Sequence, residues 1–200
     1  MEPVKNACEL SGCVLSEPEF SHSIYGKTFL VFDLEVQRES GNTDILRCMI
    51  LEENAACIYN GETVNIRGQI RTYNRPCEQG SRLEVVVFIH EIVFDDTPAY
   101  MNECFLDGYV CKKPNFRITP LGREICDMLI AVNRPYNKSD YIPVIFWGRN
   151  AKKACALCVG DNIELKGRLQ SRTYEKRQAN GSIEVRLTHE LSCSEFRIIT

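Results

Sequence analysis

The chain repeats itself once, with a period near 96 residues, and this repeat constrains its fold more than any other feature. Leu10-Ser11-Gly12-Cys13-Val14 returns as Leu106-Asp107-Gly108-Tyr109-Val110. The register holds at Pro18 and Pro114, Phe20 and Phe116, Gly26 and Gly122, Val36 and Val132, Arg38 and Arg134, Asp44 and Asp140, and Asn54 and Asn150. Small insertions then shift it, so that Gly68 matches Gly167, Thr72-Tyr73 matches Thr173-Tyr174, and His90-Glu91 matches His189-Glu190. Solenoid repeats are typically about 20–50 residues long. A longer period predicts two domains, 1–99 and 100–200, with the boundary in the turn formers Asp95-Asp96-Thr97-Pro98.

Each half reads as five strands and one short helix. In the second half Cys126, Met128, Ile130 and Val132 alternate on one face of a strand. Ile142, Val144 and Phe146 line the next, with Tyr141, Pro143, Ile145 and Trp147 on its other side. A helix follows, with Ala151, Ala154, Cys155, Cys158 and Val159 at helical spacing and Gly160 as its stop. Ile163, Leu165, Gly167 and Leu169 then point inward, while Lys166, Arg168, Gln170, Arg172 and Tyr174 point outward. Asn180-Gly181 signals a hairpin before a last strand from Ile183 to Leu191. Three strands, a helix and a closing hairpin is the order of an OB barrel, so the predicted class is all-β, with two tandem five-stranded OB barrels.

The composition fits that class and excludes others. No apolar run approaches the roughly 18–20 residues that cross a bilayer, and the start has no secretory signal pattern. Eleven cysteines are an odd number at irregular spacing, which favours buried, reduced thiols over a disulfide framework. Cys155 and Cys158 form the one C-x-x-C pair; packing on the helix stripe explains them, and no second pair completes a zinc site. No cofactor motif, nucleophile elbow or phosphate-binding glycine loop occurs, and the three histidines His22, His90 and His189 assemble no catalytic pattern, so no enzymatic activity is expected. The net charge of −3 hides an asymmetry: residues 1–100 carry 8 Lys/Arg against 16 Asp/Glu, and residues 101–200 carry 16 against 11. One half is suited to a polyanion and the other is not.

Binding a single nucleic-acid strand takes cations along the phosphates and aromatic faces for unpaired bases. The second half offers both on outward positions. Tyr141 and Trp147 share a strand face, Tyr174 follows Arg172, and Tyr136 lies in a loop after Arg134. Arg117, Arg123, Arg134, Arg149, Lys166, Arg168 and Arg172 supply the positive groove, extended along the hairpin by Lys176 and Arg177. A lone strand tyrosine is more often packing, and a surface arginine run is usually just solvated. Aromatics and cations occurring together on one face point to DNA more strongly than any one of them alone.

At these residues the sequence resembles the bacterial single-stranded DNA-binding protein family. The resemblance is carried by Gly108-Tyr109-Val110, Arg117-Ile118-Thr119-Pro120-Leu121-Gly122, Leu129-Ile130-Ala131-Val132-Asn133-Arg134, Asp140-Tyr141-Ile142-Pro143-Val144, Trp147-Gly148-Arg149 and Gly167 to Tyr174. It implies an OB fold that wraps single-stranded DNA without catalysis, with stacking at Tyr136, Tyr141, Trp147 and Tyr174. Most members have one barrel per chain and form tetramers, so a two-barrel chain is expected to reach four barrels as a homodimer. Members usually end in a long tail with an acidic tip that recruits enzymes. Here Phe196-Arg197-Ile198-Ile199-Thr200 follows the last strand directly, so tail-mediated recruitment is not expected.

The first half departs from the pattern. Ile45 replaces Tyr141, Leu51 replaces Trp147, and only Tyr73 keeps an aromatic match, to Tyr174. Ile45, Met49 and Leu51 make its outward face unusually apolar, which predicts an assembly or protein-partner module. The rival reading extends this to the whole chain, as a protein-interaction factor built on OB barrels.

Overall fold

Period-two alternation, with aliphatic residues on the inward side, builds strands throughout the computed structural model. It describes residues 5–56, 58–77, 80–94, 100–177 and 181–199, the side chains of 76–77 and 176–177 excepted. The first half runs β1 (Asn6–Val14), β2 (Glu19–Ile24), β3 (Lys27–Gln37), β4 (Thr43–Leu51), a 3-10 turn (Glu52–Asn54), β5 (Thr63–Cys77) and β6 (Gly80–Phe94). The second runs β7 (Asn102–Val110), β8 (Asn115–Ile118), β9 (Glu124–Arg134), β10 (Lys138–Trp147), α1 (Gly148–Ala154), β11 (Asn162–Arg177) and β12 (Ile183–Ile199). The expected boundary at 95–98 and the Asn180 turn residue lie outside the described residues.

Each half closes on itself. β1 pairs with β3 and β5, β5 with β6, β6 with β4, and β4 with β3; all are antiparallel except β4–β6. The second half repeats this ring through β7, β9, β10, β12 and β11, with β10–β12 parallel. These are the two OB barrels, each with an extra strand, β2 or β8, paired to the ring as a hairpin. Phe32, Leu34, Leu46, Ile50, Ile66 and Ile70 fill the first ring; Leu106, Ile130, Ile142 and Phe146 fill the second. Each such side chain contributes about 1.5–3 kcal/mol by leaving water. No helix among the described residues is long and apolar enough to cross a membrane.

The helices differ from expectation. The first barrel has only the 3-10 turn, because its β4–β5 connection is three residues shorter than its counterpart: Leu51 corresponds to Trp147, but Gly68 to Gly167. In the second barrel α1 ends at Ala154, and Ala156 and Leu157 donate to Lys153 and Ala154, three residues back. That tightening changes the helical phase and turns Leu157 inward. Cys155 and Cys158 are left exposed, as is Val159, so core packing does not account for them.

The register between the repeats also moves further than the sequence matches suggest. Gly68 sits opposite Ile89, and Gly167 opposite Cys193. Val87 beside Cys48 takes the place that Leu191 takes beside Val144. The β11–β12 hairpin is therefore five residues longer than β5–β6. Structurally, Tyr73 corresponds to Arg172 rather than Tyr174, and His90 does not correspond to His189. The matched glycines are held by the fold itself: a Cβ on Gly68 would lie 2.3 Å from the Phe88 carbonyl, and one on Gly167 2.3 Å from the Ser192 carbonyl.

β1 pairs antiparallel with β7, joining both barrels into one twelve-stranded sheet. Cys8 faces its own repeat mate Cys104, so a pseudo-two-fold axis passes between them. The hydrogen-bonded Cys8 sulfur, together with burial, pushes the Cys104 thiol well up. Around the axis the contacts come in pairs. Asn6 bridges the backbone of Ile70 at 2.7 and 2.9 Å, and Asn102 bridges Leu169 at 2.8 and 2.9 Å. Two fully buried carboxylates cross between barrels. Asp44 accepts from the Ser171 amide at 2.8 Å and from Arg38 at 2.5 and 2.6 Å. Asp140 accepts from the Thr72 amide at 2.7 Å and from Arg71 at 3.0 Å, with Arg134 at 3.1 Å.

Candidate nucleic-acid interface

β10 positions the central pair of aromatics. Tyr141 is 46% exposed, and Trp147, six residues on, is half-buried on the same side of the strand. At about 3.3 Å per residue they stand roughly 20 Å apart. The indole N–H of Trp147 donates to Ser192 Oγ at 3.0 Å, which fixes the ring orientation. Ile145, between them, is buried rather than outward. Tyr136 is 94% exposed at the tip of the β9–β10 turn, with φ of 62° followed by Asn137 at 54°. Left-handed backbone at a bulky residue is uncommon, and here it lifts the phenol clear of the barrel. Tyr174 is half-buried on the long hairpin, with the Arg172 guanidinium 5.9 Å above its ring, a cation–π contact that already covers one face.

The cations divide into three sets. Arg123, Arg149 and Lys166 are exposed, with no ion-pair partner among the described residues. Arg117 and Arg172 are exposed but bridged to acids: Arg117 to Asp127 at 2.5 and 3.2 Å, and Arg172 to Glu190 at 3.5 Å. Arg134 and Arg168 belong to the junction between barrels. Arg134 is half-buried against Asp140; Arg168 is exposed, and partial desolvation and the like charge of Arg38 across the junction lower its pKa. Gln170, expected outward, is buried and donates to Glu190 at 2.9 Å. The side chains of Lys176 and Arg177 lie outside the described residues. Alternation along one strand gives no sign of Asp127 and Glu190 as partners, because cross-strand register sets their pairing.

The corresponding face of the first barrel is different. Met49 is only 7% exposed, packed with Val31 and Val86 under Phe29 and Phe88. Met49 thus sits inside a small apolar layer of this face, whereas the Ile45 side chain is exposed. The Ile45 backbone is held by the second barrel: its amide donates to Ser171 Oγ at 3.0 Å and its carbonyl accepts from His189 Nε2 at 2.8 Å. Leu51 is half-buried. The longer β11–β12 hairpin stands beside this face and makes a cleft of about 1050 Å3 between the barrels. Phe20, His22, Phe29, Tyr73 and Phe88 line it on the first-barrel side, and Arg186, Leu187 and His189 on the other. Burial, then the charge of Glu84, raises the pKa of Tyr73. The sequence signal for this cleft was the alternation Phe29-Val31-Asp33 on β3 and Val86-Phe88 on β6.

Comparison with known proteins supplies the context. Residues 101–199 match the model of the single-strand binding protein family. Single-stranded DNA-binding protein A of Bacillus subtilis is 34% identical over 85 residues, 39% of this chain and 49% of that protein. Single-stranded DNA-binding protein B of the same organism is 29% identical over 84 residues, 38% of this chain and 74% of that protein. For most such relatives the match spans about half of their length. The wild-type single-stranded DNA binding protein from Thermus aquaticus superposes with a TM-score of 0.72 at 22% identity, covering 98% of this chain and 93% of that one, and so shares its fold.

Proposed function

Since its second barrel places this chain in the single-strand binding protein family, we propose that the molecule binds and protects single-stranded DNA without sequence preference, in replication, recombination or repair. The observation that carries the reading is the β10 face. Tyr141 and an anchored Trp147 share one side of the strand, Arg149 lies two residues beyond the indole in the first turn of α1, and Tyr136 stands free at the adjoining turn. Stacking on such rings is worth about 1–3 kcal/mol per base and tolerates any sequence. Among the cations, Arg123, Arg149 and Lys166 are free to meet phosphate, whereas Arg134 is held by Asp140 at the barrel junction and the exposed Arg168 lies beside Gln170. Arg117, Arg172 and Tyr174 engage DNA only by giving up their present partners.

Trp147 is the only tryptophan, so its fluorescence reports the site directly. Titration with oligo-dT is expected to quench it to saturation, more weakly at higher salt. An unchanged signal with no complex on a gel overturns the reading. A homodimer presenting four barrels completes the proposal. Phe94 and Ile198, both exposed near the ends of the closing strands, offer apolar surface for it. Sedimentation at micromolar concentration tests it, with a monomer as the contrary result.

A further inference from the structure

We infer that Asp127 and Glu190 are built-in competitors of the DNA backbone: each occupies an arginine on the binding face, and a phosphate must displace it. The two acids thereby hold down the share of binding that comes from charge and leave stacked bases to supply the rest. The inference rests on the DNA-binding reading above and gives a role to two residues which that reading leaves out.

Strand register puts both acids among the candidate platforms. On β9, Asp127 lies directly opposite Ile145 of β10, and Ile125 directly opposite Trp147. Antiparallel partners share a side of the sheet, so Asp127 stands on the Tyr141 and Trp147 side, one diagonal step of about 7–8 Å from Trp147. On the other flank of β10, Ser192 of β12 lies beside Ile145, and its hydroxyl accepts from the indole N–H. Glu190 is two residues before Ser192 and so points to the same side. Since β10 runs between β9 and β12, Trp147 has a carboxylate on either flank.

Each acid holds an arginine that would otherwise meet phosphate. Arg117, opposite Ile125 on β8, donates to Asp127 through two nitrogens at 2.5 and 3.2 Å. Arg172 reaches Glu190 at 3.5 Å, and Gln170 donates to the other oxygen of that carboxylate at 2.9 Å. The Arg117 pKa is raised, first by its bond to Asp127, and Glu190 adds to the rise, so both carboxylates bear on the same stretch of the face. Part-exposed ion pairs of this kind are weak, so a phosphate can take either arginine. It then lies beside a released carboxylate of its own sign, which opposes the contact. Arg117 and Arg172 therefore add less to binding than their charge suggests. A strand whose bases stack on Trp147 and Tyr141 offsets that repulsion, and a backbone alone does not.

The test uses the full chain and a fluorescent oligo-dT, with affinity read by anisotropy over a series of salt concentrations. Asp127→Asn and Glu190→Gln keep the side-chain shape and remove one charge each. Each is expected to steepen the slope of log K against log salt by about 0.7, the value of one more phosphate contact, and so to raise affinity about fivefold at 0.1 M salt. Glu91→Gln removes the same charge beside Arg67 in the first barrel and is expected to leave the slope alone. Urea midpoints check that the variants fold. Because Glu190 is buried, Asp127→Asn, on a part-exposed side chain, decides the matter if Glu190→Gln does not fold. Unchanged affinity in Asp127→Asn overturns the inference, and weaker binding does so by showing that the acid positions its arginine for DNA. An equal rise in Glu91→Gln also overturns it, since overall charge would then suffice. If neither wild type nor the acid variants bind oligo-dT, the DNA-binding reading itself fails and this inference with it.

Discussion

The two barrels share one scaffold and show two different faces. On the second, Trp147 and Tyr141 lie on an open strand; on the first, Leu51 and Ile45 take those places and a longer hairpin walls the surface into a cleft. What both halves keep is the junction: Asn6 and Asn102, Asp44 and Asp140, Gly68 and Gly167 perform the same tasks twice. The repeat thus preserves the positions that fit two copies together and leaves the exposed faces free to diverge.

The sharpest break of this comparison is at the buried carboxylates. Asp140→Ala strands Arg71 and Arg134 in the junction and is expected to cost about 3–5 kcal/mol in urea unfolding. Asp44→Ala, which leaves Arg38, is expected to cost less, because one arginine rather than two bonds or ion-pairs with it. Equal losses would mean the junction is energetically symmetric despite this inequality. Gly167→Ala and Gly68→Ala come next, at about 1–3 kcal/mol each, since an added methyl meets backbone that cannot move aside.

Trp147→Leu installs the first barrel's residue on the second and is expected to weaken oligo-dT binding about tenfold, measured by gel shift or anisotropy. Unchanged binding would mean that the difference between the faces is not functional. Arg149→Ala and Lys166→Ala are each expected to lower the slope of log K against log salt by about 0.7. Arg134→Ala is expected to change stability and leave that slope alone.

The smallest effect is with pH. Burial lowers the His189 pKa from its ordinary 6.5, so the unfolded chain binds the proton more readily than the folded one. Stability is then fully present above about pH 6.5 and falls as pH drops through that value toward the folded pKa. His189→Gln is expected to flatten this dependence, seen as urea midpoints at about pH 5 and 7.5 that lie closer together than in wild type.

The duplication, the strand order and the placement of Tyr141 and Trp147 were legible in the sequence, because alternation and repeated glycines are local signals. The register after Gly68 was not. Matching Tyr73 to Tyr174 slips a strand by two residues, and a period-two pattern looks the same after such a slip. The histidine match errs by an odd number of residues, and the faces disagree: His189 is buried and His90 exposed. The cysteine pair misled because a 3-10 turn changes phase where the sequence shows only spacing. Pairing of Arg117 with Asp127 and of Arg172 with Glu190 depends on which strands lie side by side, and no single strand's pattern contains that.

The β1–β7 ladder joins the barrels as one sheet rather than through a tether. Any ligand that touches both therefore meets them at a set separation, with no slack to take up and little entropy lost in bringing the second contact to bear. Its effective concentration at the second barrel is governed by the ligand's own length and stiffness. Affinity for such a ligand should rise in a step once the strand is long enough to reach across, not gradually with every added nucleotide.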